Sequence, residues 1–506
     1  MPYSIGLQAA TLAFLHAGFP TQFTIAIIAF LLIVYTISFF KDEEPDAPAK
    51  LPGSSLAAIH PFFRRRFDFL NWGFHATGTN MFQFQLLRNQ VIVTSGEKAR
   101  EAFFSARGLD LTEGFKILSG ALPMLKGVTS DLQSRTRGSI YKRLAAVQRN
   151  GSLSDLIPAI LEDSRRIMEG WGSFGSFDPF DRVYEVVFQT TVRSLTCSEI
   201  ADDPVIVARL KVLYDRLDHG TTPATVLLPW FPSPALLKKL WATKEIYEIV
   251  TRAIDARERS GVWQNDTLQM LLDAKEERLV IVGFIMGLLI AGARATGTTA
   301  SWLIMYLGIH QDWRAKAATE VDALLAAYPP PSATEPTPVQ AQSLSSQLSH
   351  IPLEAWESSL PTLDAMIRET LRVAQPHAAM RRNLGPDMHM DGKRIPTGAY
   401  VVYPFADVHL DPEIYADPSK FDPTRPEETK VPFGYVGWGG GKTVCLGTRL
   451  AKLELKMVAA LFLLGFKHSV QSESGAPPEP NWNDLHMARP PKGSFCVQYE
   501  RTGVPL

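Results

Sequence analysis

The sequence has little cysteine and almost no net charge. Its 506 residues include three cysteines, Cys197, Cys445 and Cys496, which are too few for a disulfide framework and favour a reducing compartment. The 51 basic and 52 acidic residues leave a net charge of −1, which argues against a nucleic-acid partner. No low-complexity break divides residues 53–506, so we expect one large domain there despite its length.

Charged residues are also absent from a segment near the N-terminus, residues 23–40. As a helix this segment would span about 27 Å, close to the hydrocarbon thickness of an endoplasmic-reticulum membrane. A cleaved signal peptide is the competing interpretation, but no Lys or Arg precedes the run, and the run is long. The sequence therefore predicts a lumenal segment (1–22), one transmembrane anchor (23–40) and a proline-bearing linker (41–52).

The basic patch that follows the linker, Arg64-Arg65-Arg66, favours a cytoplasmic body. We therefore expect a single-pass protein of the endoplasmic-reticulum membrane, with residues 53–506 on the cytoplasmic side.

The pattern of the body is mostly helical. A long apolar segment, 279–310, predicts a central helix, and a second helix is expected over 312–328. Turn residues at 391–392 predict a hairpin with an arm over 395–404. Residues 329–350 are rich in Pro, Ser and Gln, which predicts a mobile surface insert.

One cysteine lies between a glycine-rich turn and a helical pattern, in the segment Trp438-Gly439-Gly440-Gly441-Lys442-Thr443-Val444-Cys445-Leu446-Gly447. Glycines let the backbone adopt positive φ and approach a flat group closely. The N–H groups at the start of the following helix favour a thiolate, the form of cysteine that binds metals. The segment suits a cysteine held on a metal, with a buried structural cysteine as the alternative.

Two further motifs precede this segment. In the first, Glu369 and Arg372 share one helical face, which alone would indicate an ordinary surface ion pair. The full motifs are Leu360-Pro361-Thr362-Leu363-Asp364-Ala365 with Glu369-Thr370-Leu371-Arg372, and Asp417-Pro418-Ser419-Lys420-Phe421-Asp422-Pro423-Thr424-Arg425. In this order, the three motifs resemble the cytochrome P450 (haem-thiolate) family of the microsomal type, over roughly residues 50–503.

The resemblance implies a mainly α fold with small β-sheets, the family's triangular prism, which holds haem b between the central helix and the Cys445 loop. Cys445 would be the axial thiolate ligand of the iron, and Gly441 would belong to the turn that passes close to the haem. Trp438 stands where most relatives have Phe and would pack on the haem, with plain core packing as the alternative.

The resemblance also places cations near the haem propionates. Thr443 replaces the usual Arg or His, so Lys442 would supply that charge unless it is a surface lysine. Arg382 would bind a propionate, with Arg381 as its competitor, because a buried dianion needs a cationic partner. The usual Trp-x-x-x-Arg pattern is missing from the basic helix expected over 131–148, which leaves the contact from that helix unassigned.

Two other groups of residues take roles from the resemblance. Glu369, Arg372 and Arg425 would form a buried structural triad. On the central helix, Arg294 and Ala295 stand at the positions of the family's proton-relaying acid and alcohol. Neither can relay a proton, and Thr296 would be the nearest substitute. Arg294 would bridge an acidic residue away from the pocket or contact a substrate oxygen or carboxylate.

A narrower resemblance concerns the sterol 7α-hydroxylase and prostacyclin synthase group, which contains monooxygenases and an isomerase. It rests on segments 402–404 and 408–418 and on the Trp-Gly-x-Gly … Cys-Leu-Gly pattern. We expect a membrane-anchored monooxygenase that oxidises a bulky lipophilic substrate (steroid, terpenoid or other specialised metabolite). Its electrons would come from NADPH–cytochrome P450 reductase. The alternative is a haem-thiolate isomerase or lyase that uses neither O₂ nor reductase.

Overall fold

The computed structural model describes residue 18 and residues 45–114, 143–330 and 343–506. The predicted anchor at 23–40, the first part of the basic helix at 131–148 and the middle of the insert at 329–350 lie outside these residues.

Helices dominate the described residues. They are α1 (Ser55–Arg64), α2 (Arg66–Thr77), α3 (Glu97–Ser105), α4 (Asn150–Glu169), α5 (Pro179–Leu195), α6 (Ser198–Ala201), α7 (Pro204–His219), α8 (Pro223–Leu227), α9 (Pro234–Ser260), α10 (Thr267–Asp273), α11 (Arg278–Ile309), α12 (Gln311–Ala327), α13 (Leu344–Ser349), α14 (Leu353–Ser358), α15 (Pro361–Val373), α16 (Ala406–His409) and α17 (Thr448–Gly465).

Three small sheets accompany the helices. Their strands are β1 (Ala49–Lys50), β2 (Met81–Leu86), β3 (Asn89–Thr94), β4 (Leu109–Asp110), β5 (Phe174–Phe177), β6 (Ala378–Asn383), β7 (Met388–Met390), β8 (Lys393–Ile395), β9 (Tyr400–Pro404), β10 (Phe466–Ser472) and β11 (Phe495–Arg501). The strand orders are β1-β2-β3-β9-β6-β4, β10-β11-β5 and β7-β8. A mainly α fold with small sheets is therefore confirmed.

The central helix α11 is apolar along nearly its whole length and packs along α5 and against α15, α17 and β10. Two glycines let α5 come close. A Cβ at Gly297 would lie 2.6 Å from Cδ2 of Tyr184, and one at Gly292 would lie 3.0 Å from Cδ1 of Leu195. These contacts turn one side of α11 toward α5 and leave the opposite side for the candidate site.

Helix α11 is also the one helix of the described residues that is long and apolar enough to cross a membrane, with 50 % of its apolar window buried inside the protein. Burial of that extent, together with its helical neighbours, fits a core helix.

Two element predictions need correction. Residues 395–404 do not form one arm: β8 ends at Ile395 and pairs with β7, whereas β9 starts at Tyr400 and joins the large sheet beside β3 and β6. The expected insert does not extend to residue 350, because Leu344–Ser349 is helical, with Leu344 and Leu348 buried in the core. Apolar residues spaced by four on one helical face explain this docking.

Candidate active site

The Cys445 loop depends on its glycines. Gly439 has a φ of 77°, and a Cβ there would lie 2.7 Å from the carbonyl oxygen of Thr443. Gly441 has a φ of 55°, and a Cβ there would overlap the carbonyl oxygen of Phe104. Only glycine tolerates both the positive φ and the crowding. The loop therefore folds tightly against α3 and projects the residues that follow.

The loop exposes Cys445, whereas Cys197 is buried and Cys496 is half-buried. The Cys445 N–H donates to the carbonyl of Trp438 at 2.7 Å, and the Thr448 hydroxyl donates to the Cys445 carbonyl at 2.8 Å. Helix α17 begins at Thr448 and buries most of its later residues. Cys445 thus lies just before the N-terminus of a firmly packed helix.

Trp438 and Lys442 flank the cysteine differently. Trp438 is half-buried and packs against the main hydrophobic core. Lys442 is exposed in the 3₁₀ turn Gly441–Thr443, with no hydrogen bond to any described residue. Lys442 is therefore an exposed cation of the cysteine loop with no hydrogen-bond or ion-pair partner among the described residues.

The structure brings Glu369, Arg372 and Arg425 together. Arg372 donates Nε and Nη2 to the two Glu369 oxygens at 2.9 and 2.7 Å, and Arg425 Nε donates to Glu369 Oε1 at 3.1 Å. The Arg372 and Glu369 side chains are 1 % and 4 % exposed. This is a buried, bidentate network rather than a surface ion pair, so removing one partner would strand a charge.

His409 connects this triad to the cysteine loop. The Arg372 guanidinium donates to the His409 carbonyl at 2.6 Å, and the Val436 N–H donates to His409 Nε2 at 3.1 Å. Burial, together with the charge of Arg372, lowers the pKa of His409 to about 3, so the ring is neutral. Sequence reasoning missed His409, although it lies in the segment 408–418.

The two neighbouring arginines of β6 point in opposite directions, as strand alternation requires. Arg381 is buried and donates Nη2 to the Thr443 hydroxyl at 2.6 Å, inside the cysteine loop. Arg382 instead donates to the Gly398 carbonyl at 3.2 Å and lies 3.7 Å from Glu113. Arg381 is thus the arginine that reaches the cysteine loop, and the choice between Arg382 and Arg381 as the propionate partner stays a prediction.

Helix α11 presents an open strip made of Ala291 and Ala295. Both alanines are exposed although most residues of this helix are buried. They are one helical turn apart and so share one face. Ala295 stands at the position expected for the alcohol. The only side-chain group at this position is therefore the methyl group of Ala295.

Thr296 does not lie on the open strip. It follows Ala295 by about 100° of helical rotation and is buried, and Thr299 is buried to the same extent. Thr299, one turn beyond Ala295, is the nearer hydroxyl and donates to the Ala295 carbonyl at 2.8 Å. Thr299 is therefore a second candidate hydroxyl beside the strip, and the role expected of Thr296 stays a prediction.

Arg294 is already paired. Its guanidinium forms an ion pair with Asp218 at the end of α7 and donates to His486 Nδ1 at 2.6 Å. It also hydrogen-bonds to Tyr184 of α5, while burial raises the pKa of that phenol to about 12. Of the two roles open in the sequence, the bridge to an acidic residue is the one that the structure contains.

The residues on the two sides of the site suit a flat iron cofactor. A turn that only glycine can form precedes the exposed Cys445. The central helix α11 carries small, exposed side chains at Ala291 and Ala295, which leave that part of its surface uncovered. A soft thiolate donor together with a buried arginine beside the loop fits a haem, whose iron accepts the sulfur and whose propionates need cations.

Comparison with known proteins agrees with this site. The profile of the family described as Cytochrome P450 matches residues 175–497. The chain is 28 % identical to the cytochrome P450 monooxygenase AacuE of Aspergillus aculeatus, covering 96 % of this chain and 99 % of that protein. It is 28 % identical to the cytochrome P450 monooxygenase dmxR5 of Cryptosporiopsis sp., covering 89 % of each. A sterol 14-demethylase of Arabidopsis thaliana is 25 % identical, covering 83 % of this chain and 84 % of that protein.

A solved structure has the same fold: the retinoic acid-bound cyanobacterial CYP120A1 superposes with a TM-score of 0.66 at 21 % identity, covering 90 % of this chain and 99 % of that one. These relatives do not support the narrower resemblance to the sterol 7α-hydroxylase and prostacyclin synthase group. Since the profile spans more than half of the chain, the protein belongs to the cytochrome P450 family of monooxygenases, which hold haem b through an axial cysteine.

Proposed function

We propose that Cys445 is the axial ligand of haem b and that the protein is a monooxygenase acting on a bulky lipophilic substrate. One observation carries the assignment. Of the three cysteines in the chain, all within the described residues, only Cys445 is exposed, and it lies between a glycine-dependent turn and the buried helix α17. Cys197 is buried, and burial raises the pKa of its thiol well above the usual value, so a thiolate there is disfavoured.

Bound haem supplies an iron whose thiolate ligand favours O–O cleavage. The chain supplies the remainder of the site. Cys445 lies just before the N-terminal end of α17 and would hold the iron there. Arg381 sits against the loop at Thr443 and is the proposed partner of one propionate, with Lys442 as the second cation of the same loop. The network of Glu369, Arg372 and Arg425, extended through His409 to Val436, holds the loop in register.

Proton delivery takes place at the open strip of α11 (Ala291 and Ala295), beside Thr299. Ala295 has no proton to give, and Arg294 stays protonated and paired with Asp218. The Thr299 hydroxyl uses its hydrogen on the Ala295 carbonyl, and its oxygen can still accept a hydrogen bond from water. The threonine therefore orders a water rather than acting alone as the acid.

We further propose that residues 23–40 anchor the protein in the endoplasmic-reticulum membrane, with the body on the cytoplasmic side and NADPH–cytochrome P450 reductase as electron donor. The charge-free segment and the arginine patch after it support this arrangement. Deletion of residues 1–40 should move the protein from the membrane fraction toward the soluble fraction and leave haem content unchanged. An intact chain that stays soluble without detergent would contradict the anchor.

The reaction is tested by incubation with candidate lipophiles, isotopically heavy O₂, NADPH and reductase, followed by mass spectrometry. A monooxygenase gives products that depend on NADPH and contain oxygen from O₂. The second candidate, an isomerase or lyase, is favoured by one observation, the Arg294–Ala295 pair in place of an acid and an alcohol. Turnover of an oxygenated substrate without NADPH, reductase or O₂ would support that candidate instead.

A further inference from the structure

A rigid loop places one histidine beside the open strip. Residues 481–489 close on themselves through Asp484, whose carboxylate accepts N–H groups from His486 at 3.1 Å, Met487 at 3.4 Å and Arg489 at 3.1 Å. The loop ends are joined by the Asn481 N–H, which donates to the Ala488 carbonyl at 2.8 Å. The position of His486 is therefore set by backbone contacts and not by its own side chain.

The loop is hydrogen-bonded to one face of α11. Thr298 Oγ1 donates to the His486 carbonyl at 3.4 Å, and Trp302 Nε1 donates to the Met487 carbonyl at 3.0 Å. Arg294 donates to His486 Nδ1 at 2.6 Å. Positions 294, 298 and 302 are separated by four residues and share a face. Ala295 lies beside this face, so the imidazole borders the open strip.

Arg294 determines which ring nitrogen of His486 carries the proton. A guanidinium only donates hydrogen bonds, so Nδ1 must accept and the proton of the neutral ring lies on Nε2. Burial, with the charge of Arg294 adding to it, lowers the pKa of His486 to about 4, so the ring is neutral near pH 7. His486 nevertheless keeps an exposed surface.

No second described residue hydrogen-bonds to this ring, so the Nε2–H is available to a ligand. Arg294 itself is not available to bind a ligand. Its charge is balanced by Asp218, and the nearby Lys211 lies 3.4 Å from Asp215. The cluster has no surplus positive charge with which to attract a carboxylate, but it offers one oriented neutral donor.

We propose that His486 is a substrate-positioning residue whose Nε2–H donates a hydrogen bond to an acceptor oxygen of a lipophilic substrate, such as a ketone, ester or ether oxygen. Arg294 acts through His486, by fixing its tautomer, and does not contact the substrate. The inference rests on the proposed function and narrows its substrate class to lipophiles that carry an acceptor oxygen.

The test uses two probes of nearly equal shape, 9-fluorenone with one carbonyl and fluorene with none. Their Kd values are measured by equilibrium dialysis on full-length, haem-loaded protein. A single hydrogen bond is worth about 1 kcal/mol, which corresponds to roughly fivefold tighter binding of fluorenone. His486→Phe should abolish the preference and change fluorene binding little. His486→Gln, which restores an N–H donor, should recover part of it.

Several outcomes would overturn the proposal. Equal affinity of the wild-type protein for the two probes would do so, as would a preference that survives in His486→Phe. Failure of the proposed function has a different signature, namely wild-type protein whose reduced CO complex lacks the band of a thiolate-ligated haem. Probe affinities are therefore compared only in preparations that show this band.

A second measurement tests the role of Arg294 without any substrate. Nitrogen NMR of isotopically labelled histidine in the reduced CO complex reports the tautomer, with the His486 signal assigned by its loss in His486→Phe. The proposal predicts a proton on Nε2. In the double variant Arg294→Met with Asp218→Asn, which removes both charges together, a mixture of tautomers is expected. A proton on Nδ1 in the wild-type protein would overturn the proposal.

Discussion

Arg381 donates a hydrogen bond to the Thr443 hydroxyl at 2.6 Å, two residues before Cys445, while Arg382 turns away toward Gly398. Arg381→Leu should therefore lower haem retention about tenfold, because a charged hydrogen bond is worth about 1.5–3 kcal/mol. The matched control, Arg382→Leu, should retain haem. The ratio of haem absorbance to protein after gel filtration measures both. Greater haem loss from the Arg382 variant would show that the wrong arginine has been assigned.

The buried triad should matter more than any surface ion pair. Arg372→Ala leaves Glu369 uncompensated in the protein interior, and we expect a loss of about 3–5 kcal/mol in the free energy of unfolding, with poor haem loading. Arg165→Ala, which breaks ion pairs with Glu162 and Glu169 on the surface of α4, should cost less than about 1 kcal/mol. Urea unfolding of the two variants makes the comparison. Similar losses in both would mean that the triad has no special role.

The hydroxyls of Thr299 and Thr296 on α11 give a second matched pair of variants. If the protein is a monooxygenase, Thr299→Val should increase the fraction of NADPH electrons released as hydrogen peroxide, because it removes the hydroxyl beside Ala295. Thr296→Val should leave that fraction nearly unchanged if Thr299, whose hydroxyl bonds to the Ala295 carbonyl, is the group that orders the water. Peroxide is quantified per NADPH oxidised. The reverse ranking would contradict the placement of the strip.

A buried carboxyl of α17 makes stability depend on pH. Burial raises the pKa of Glu454 from 4.5 to about 8, although Ser194 and Thr191 donate hydrogen bonds to it. Between these two values the folded protein holds a proton that the unfolded chain has released. The free energy of unfolding attributable to this group therefore falls as the pH rises from 4.5 to about 8.

Glu454→Gln should remove that dependence. The variant should lose less stability than the wild-type protein between about pH 6 and about pH 9, as measured by urea unfolding. The exposed Glu427→Gln is the control and should behave like the wild-type protein. An unchanged pH profile in Glu454→Gln would show that another group is responsible.

The sequence predicted well those elements that depend on local pattern. The apolar run of α11 predicts a central helix by itself, and the structure contains that helix. The Glu369–Arg372 spacing alone indicated a surface ion pair, and only the family resemblance predicted the buried pair that the structure contains. The pairing of strands was harder to predict from the sequence. The break between β8 and β9 depends on β9 joining β3 and β6, residues far away in the chain, and no local signal reports that pairing.

The direction in which side chains point was the other feature that the sequence could not predict. Arg381 and Arg382 have the same side chain. Which of them contacts the cysteine loop depends on which face of β6 is turned toward that loop, and the sequence does not reveal this. Thr296 is next to Ala295 in sequence, but helical rotation makes Thr299 its spatial neighbour. His486 could not have been found, because its partner Arg294 is 192 positions away.

The most direct test of the account is the reduced CO spectrum of cysteine variants. Cys445→Ser should lose the band that marks a thiolate-ligated haem, because a hydroxyl replaces the sulfur. Cys496→Ser, which changes a half-buried cysteine of β11, should keep the band at wild-type intensity. A thiolate band that persists in Cys445→Ser, or that disappears in Cys496→Ser, would contradict the assignment of Cys445 as the haem ligand.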